Sequence, residues 1–420
     1  MNNKKKLLIY AHYYYPDVAS TAQILTELSE GLTENFDITV ICAVPSYTGN
    51  IDEKYKAQKI YDEVYKDIRV LRVRVPEFSK TNKVSRIKNL LAYFFNSMLA
   101  TFKAEKPDFI FTISQPPILG GILGVWGKLM RGGKLIYNIQ DFNPEQTMAV
   151  GYAKNKLVLN GAMMVDKLSC KAADKVIVVG RDMEQTLKNR FNKKNIPNHA
   201  FINNWINEKE VYPLEKNNDK VNCFKEKYNL KDKFIIMYSG NIGLYYDLQN
   251  LIKVVGEFKH RNDVVFAFVG EGTVKKDMEV YVKENNLDNV VFIPYQDKKD
   301  LIYSLNAGDV HWVVNSKGIK GISVPSKLYG VMAAGKPIIG VLEEGSEGRL
   351  IVEEAGCGLC TEPGNYKGVY NIIKKFIDNK DSIDEMGIKG RKYLETNLTK
   401  SVSINKYKSE ILSLDVKMSN

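Results

Sequence analysis

The 420-residue chain lacks several features that would define a class of protein. No apolar run reaches the ~18 residues that mark a membrane-spanning helix. Its five cysteines, an odd number, give no disulfide framework. Cys357 and Cys360 form a lone Cys-x-x-Cys with no second pair and no nearby histidine, so two small residues lining a strand are expected there rather than zinc. The four histidines, at 12, 199, 260 and 311, are too scattered to form a cluster. No Asp-x-Asp occurs, which removes a common grip on magnesium and a diphosphate. The N-terminus, MNNKKKLLIYAHYYYPD, starts basic, but its apolar stretch is short and no small-residue cleavage site follows. The chain is therefore expected to stay on the cytoplasmic side.

Acidic charge is scarce in one half only. Residues 1–203 hold 29 Lys and Arg against 19 Asp and Glu, and residues 204–420 hold 31 against 30. The formal charge of +11 thus divides into +10 and +1, which implies an anionic partner for the first half. Composition is otherwise ordinary, with 44% hydrophobic and 26% charged residues. At roughly 150 residues per domain, two or three globular domains fit.

Apolar β-rich runs recur at 5–12, 38–44, 68–75, 109–113, 134–139 and 175–180, then at 234–239, 264–269, 290–294, 309–314 and 337–342. Amphipathic helical patterns lie between most of them, as at Ala22–Leu32, Leu248–Phe258 and Lys275–Glu284. Such alternation makes parallel sheets with helices on both faces. Eleven strands are too many for one ordinary open sheet, so two doubly wound α/β domains are predicted. Their joint falls near 203–216, where Asn203-Asn204-Trp205 is read as the end of a strand. The domains then cover 1–205 and 206–395, and a helical tail over 396–420 is free to fold back on either.

Residues 80–103, SKTNKVSRIKNLLAYFFNSMLATF, place Lys80, Lys83, Arg86 and Lys88 before an apolar aromatic block. The block is too short to span a bilayer. Such a helix either lies in the membrane interface with its cations on anionic headgroups, or is buried with a solvated basic end. The charge of the same half favours an anionic membrane surface over nucleic acid.

Phosphate motifs come close without fitting. Gly330 to Lys336, GVMAAGK, lacks the hydroxyl of a P-loop because Pro337 follows, and its helix precedes the strand. Gly270-Glu271-Gly272 has no third glycine at dinucleotide spacing. Residues 319–327, IKGISVPSK, lead into a helix whose amides, Ser326 hydroxyl and Lys327 ammonium would converge on a diphosphate. A capped helix with a surface lysine is the plainer alternative.

Taken together, FIIMYSGNIGLYYDLQNLI (234–252), residues 264–310, VPSKLYGVMAAGKPIIGVLEEGSE (324–347) and EEAGCGLCTEPGN (353–365) resemble the retaining family-4 GT-B glycosyltransferases. The similarity is to the bacterial branch that builds O-antigen, capsule and slime polysaccharides. The first half resembles it more loosely, through 13–32, 107–124 and 136–145. The resemblance implies an α/β GT-B fold, two Rossmann-like domains facing a cleft, with C-terminal helices. It implies a UDP-sugar donor on the second domain and, on the first, a saccharide on polyprenyl diphosphate at the inner face of the plasma membrane. It also implies retention, no metal and no cofactor. Donors aimed at the leaving diphosphate then supply most of the catalysis, through an oxocarbenium-like transition state.

Carried over position by position, the resemblance assigns Lys327 as the main diphosphate cation, with Asp141 and Glu145 near the reacting centre. Gly240, Asn241, Gly270, Tyr295, Ser326, Leu328 and Glu347 fall on the donor side. Tyr15, Pro16, Ser20, Thr21 and Gln140 fall on the acceptor side and the floor of the cleft. Asp141 is either the acceptor-side base or an N-cap ahead of Pro144. The chain departs from the family where a Glu-x7-Glu pair is usual, since Ile322 and Gly330 stand there. Asn241 and Tyr246 stand where Arg and Lys are usual. Glu347 is the stand-in for the ribose contact, or a first-turn helix acid. Two other functions remain open: a sugar-nucleotide epimerase on the same fold, which has no use for the segment 80–103, and a non-catalytic binding subunit, favoured only by the missing Glu pair.

Overall fold

The computed structural model describes residues 4–79, 82–149, 151, 155–380 and 383–416. Lys80 of the basic aromatic segment lies outside them. The first sheet contains β1 (Lys5–Ala11), β2 (Phe36–Ala43), β3 (Ile60–Tyr65), β4 (Ile68–Val73), β5 (Phe109–Ile113), β6 (Lys134–Ile139), β7 (Lys175–Val178) and β8 (His199–Phe201). Their order is β3-β4-β2-β1-β5-β6-β7-β8, parallel except for β3 against β4. Helices α1 (Ser20–Leu32), α2 (Lys83–Ala100), α3 (Leu119–Arg131), α4 (Asn143–Ala149), α5 (Lys156–Ala172) and α6 (Arg181–Arg190) connect these strands.

After α7 (Asp219–Lys227), the second sheet is built from β9 (Phe234–Ser239), β10 (Val264–Val269), β11 (Val290–Ile293), β12 (Val310–Val314), β13 (Ile338–Val341) and β14 (Gly358–Thr361), in the order β11-β10-β9-β12-β13-β14. The helices between are α8 (Leu248–Gly256), α9 (Lys275–Glu284), α10 (Leu301–Ala307), α11 (Lys327–Ala333) and α12 (Glu347–Ala355). Then come α13 (Tyr366–Asp378), α14 (Ile383–Asn397) and α15 (Lys400–Val416). The strand β10, VVFAFV, is buried at every position, as a parallel strand covered on both faces requires.

Three strands escape the apolar runs. The edge strand β3, IYDEVY, exposes Asp62 and Val64 and buries no residue fully, β8 spans three residues, and β14 begins between Cys357 and Cys360. Asn203–Trp205 do not end a strand but follow one, since β8 closes at Phe201.

The tail settles on the first domain. Ile404, Tyr407, Ile411 and Leu414 of α15 are buried in one cluster with Leu7, Ile9 and Leu28. At about 2 kcal/mol per buried apolar side chain, these four residues hold it firmly. A Cβ at Gly31 of α1 would lie 2.6 Å from Ile404 Cδ1, so a glycine there lets the two helices close. By contrast, Leu394 of α14 packs with Leu328 and Met332 in the second domain.

The domains touch as well as face each other. Phe142 N–H donates to the Ile322 carbonyl (3.0 Å), and Gly321 N–H donates to Asp182 Oδ2 (2.7 Å). Ile322 itself is buried in a cluster of first-domain residues. In each sheet the first strand sits where the order reverses, β1 between β2 and β5 and β9 between β10 and β12. Ligands of doubly wound sheets bind outside the strand ends at such points.

Candidate active site

The chain leaves β9 through Gly240 at φ 143° and β10 through Gly270 at φ 138°, conformations that side chains disfavour. Space forbids them too. A Cβ on Gly270 would lie 2.1 Å from the Gly240 carbonyl oxygen, and one on Gly240 would lie 2.3 Å from Lys327 Cε. The lysine stem therefore rests directly on a bare strand end. Its Nζ ends 3.7 Å from the Tyr246 ring centroid and 5.2 Å from that of Tyr238, a cation–π arrangement. Desolvation pulls the ammonium down to about 7, and among the described residues no opposite charge counters it. A cation held this way, facing a cavity, awaits an anion.

Asp141 approaches from the first domain. Its backbone bridges to Ser323, and burial pushes its carboxyl up to about 6 with no hydrogen bond to offset it. Its charge acts on Tyr246, whose hydroxyl is pushed up to about 12 by burial first and Asp141 second. Asp141 and Lys327 thus approach the same tyrosine from different domains. The carboxylate caps no helix, so the N-cap alternative lacks its hydrogen bond.

Between the domains lies a cavity of about 260 Å³. Ser20, Gly240, Gly270, Tyr295, Ser326 and Lys327 line it, as do Glu27, Glu210, Lys298 and the bare helix face at Gly330. Lys298 Nζ is 2.9 Å from Glu210 and 3.7 Å from Glu27, and Glu27 also accepts a hydrogen bond from Trp205 Nε1 (2.7 Å). Asn241 is exposed beside this wall, and its carbonyl accepts from the Tyr238 hydroxyl (2.6 Å). Among the described residues, no three His, Cys, Asp or Glu side chains cluster to hold a metal.

Other predicted residues are committed elsewhere. Glu145 pairs through both carboxylate oxygens with Arg190, at 2.5 and 2.6 Å, and Arg190 also pairs with buried Asp166. That carboxylate is held in a structural ion pair, which corrects its placement at the reacting centre. Glu347 is buried. Its Oε2 accepts from Arg181 N and Nε, at 2.9 and 2.8 Å, and its Oε1 accepts from Asn203 Nδ2 (2.9 Å). It joins the domains and is absent from the cavity wall, so it does not stand in for a ribose ligand. Leu328 is fully buried in the second-domain core, which leaves only its backbone to offer.

On the acceptor side, Gln140 donates to Asn138 Oδ1 (2.5 Å) and accepts from Asn204 Nδ2 (2.7 Å). It sets the joint rather than facing substrate. Tyr15 stacks on Tyr65 at 4.3 Å, Pro16 follows it through a cis peptide bond, and Thr21 Oγ1 donates to Gln115 (3.0 Å). These three shape the loop after β1, whereas Ser20 reaches the cavity. Motif matching missed the aromatic cradle of Tyr238 and Tyr246. The one signal for it was a tyrosine where the family's lysine is usual. Arg181, Glu27 and Glu210 carried no signal at all.

Residues 219–393 match the family of glycosyl transferases group 1, and residues 21–199 match the glycosyl transferase 4-like domain. A protein named as glycosyltransferase WbjE of Pseudomonas aeruginosa is 26% identical over 79% of this chain and 82% of its own length. A protein named as a colanic acid biosynthesis glycosyl transferase, WcaI of Escherichia coli, is 25% identical over 97% of this chain and 99% of its own length. Sucrose-phosphate synthase from Thermosynechococcus elongatus superposes with a TM-score of 0.75 over 98% of this chain and 100% of its own, at 16% identity. HepE of Anabaena, solved with UDP and glucose, gives 0.70 over 97% and 99%, at 13% identity. With a match to the 4-like domain in the first half and to group 1 in the second, on either side of this cavity, the chain is a glycosyltransferase of GT-B fold.

Proposed function

We propose that the protein moves a hexosyl or N-acetylhexosaminyl unit from a UDP-sugar onto a saccharide carried by polyprenyl diphosphate, in the synthesis of a cell-surface polysaccharide such as O-antigen or capsule. The observation that carries this reading is Lys327, a half-buried cation that lines the cavity with no opposite charge beside it among the described residues. The departing diphosphate gains charge where Lys327 and the Ser326 hydroxyl would meet it, so the transition state gains more than the ground state. No step then needs a metal. Retention follows if the acceptor hydroxyl attacks from the diphosphate's side, with Asp141 orienting it or taking its proton. The UDP and glucose in the HepE structure and the colanic acid role in WcaI's name support the donor and the pathway class.

The acceptor's lipid places the reaction on the cytoplasmic face of an anionic membrane. Support comes from α2, which turns Val84, Ile87, Leu91, Phe95 and Leu99 outward and buries Asn89, Tyr93 and Ser97. Among the described residues no helix is long and apolar enough to cross a membrane. An epimerase would have no use for such a face. The deciding assay offers labelled UDP-sugars with and without a polyprenyl-diphosphate saccharide. Lipid-extractable label is expected. Epimerised donor, or binding without turnover, would overturn the proposal.

A further inference from the structure

Exposed apolar residues on the first domain are not confined to α2. The outward face of α5 carries Leu157, Val158, Met164, Val165 and Leu168, all exposed. Their spacing of three, four and seven residues makes one stripe along the helix, opposite buried Leu159, Asp166, Ser169 and Cys170. Between the two helices lies α3, which packs against both and exposes Leu129 and Met130. Trp126 of α3 meets the Phe102 ring edge-on at 6.2 Å, which ties the α2 stripe to the middle helix.

The solvent-facing charge on these helices has one sign. Neither α2 nor α3 contains an Asp or Glu. The single acid of α5, Asp166, is buried against Arg190 and Tyr137. The cations include Lys83, Arg86 and Lys88 on α2, and Lys156, Lys167 and Lys171 on α5. An apolar face this broad is unusual on a soluble surface and marks a docking site. Cation-bearing helices that expose no acid of their own fit a sheet of anionic headgroups. They do not fit a second copy, whose matching face would bring the same positive charges together.

We infer that α2, α3 and α5 form one bilayer-docking face, with α5 as a second contact row that fixes how the cleft is held over the membrane. The inference rests on the membrane reading above and adds to it the elements that touch the lipid. Two rows of side chains on separate helices resist rocking as one row does not, so the cleft would keep one orientation toward a lipid-borne acceptor.

The test uses the full chain with phosphatidylglycerol-containing vesicles and with pure phosphatidylcholine vesicles, at low and high salt. The wild type is expected to bind the anionic vesicles, and less so in salt. The pair Leu157→Ser and Leu168→Ser should lower the partition coefficient by about tenfold or more and leave the melting temperature and UDP binding unchanged, because both side chains are exposed. Brominated acyl chains should quench part of the tryptophan emission, and Trp126→Phe should remove that part. If the α5 pair binds like the wild type, or quenching survives Trp126→Phe, the three-helix face is overturned while docking through α2 alone stands. If the wild type binds neither vesicle, the membrane reading falls too and the transferase reading is left for the labelled-sugar assay. A dimer that dissociates in the α5 pair would give this face to a second copy and also overturn the inference.

Discussion

Replacing Lys327 by Met keeps the stem that crosses Gly240 and removes the charge. A unit charge about 4 Å away interacts by about 4 kcal/mol at an effective dielectric of ~20. Removing one donor of this kind costs on the order of 10²-fold in kcat, about 2.7 kcal/mol, which fits within that Coulomb energy. The expected result is therefore a ~10²-fold fall in kcat with labelled UDP-sugar. Stability should move the other way. The folded Lys327 titrates near 7 rather than the ordinary 10.5. Between these values the unfolded chain holds a proton that the folded chain has released, so wild-type stability rises with pH across that window. The Met variant should melt higher at pH 7, with a flatter pH dependence from there to pH 10. Bound diphosphate favours the ammonium, so UDP binding near pH 7 should take up protons, read by calorimetry in buffers of different ionisation heat. Unchanged turnover, or a variant that melts lower, would refute the reasoning.

Other outcomes follow from the same geometry. Asp141 titrates near 6 and is charged above that value, so kcat/KM should fall as pH drops through it. Asp141→Asn should lower kcat by ~10²-fold or more and abolish that limb, and a limb that survives would clear Asp141. Glu145→Gln leaves Arg190 half-paired in a buried site and should cost about 3 kcal/mol in urea unfolding with kcat per folded molecule unchanged. Lost turnover at full stability would return Glu145 to the reacting centre. Gly270→Ala drives a Cβ to 2.1 Å from the Gly240 carbonyl oxygen and should raise the donor KM by displacing the strand end under Lys327; an unaltered KM would argue against that packing. Glu347→Ala removes the partner of Arg181 and Asn203 and should open the cleft. Small-angle scattering would show a larger radius of gyration, and an unchanged profile would deny Glu347 its joining role.

Local patterns were enough for the two doubly wound domains, because burial repeats every two residues in a strand and about every 3.6 in a helix. Each of the eleven apolar runs overlaps a strand. The missing β3, β8 and β14 are an edge strand with charged residues, a three-residue strand and a four-residue strand opening on glycine, with no apolar run to show them. The resemblance assigned Gly240, Gly270 and Lys327 to the donor side, and their place at the cavity has a local cause. A bare strand end and a helix-start cation are requirements of the nearby chain. Glu145, Gln140 and Glu347 were not, since their roles depend on Arg190, Asn204 and Arg181, which arrive from distant segments only when the chain has folded. A carboxylate looks the same in a sequence whether it ends in an ion pair or on a substrate, and the partner decides which. The residues 396–420 could be read as helical, but the docking of α15 on α1 required the groove at Gly31. The stripe on α5 could be counted in advance, but that it faces outward beside α2 is settled only by α3 packing between them. Periodicity is a property of neighbours along the chain; pairing, burial of charge and the shape of a face belong to neighbours in space.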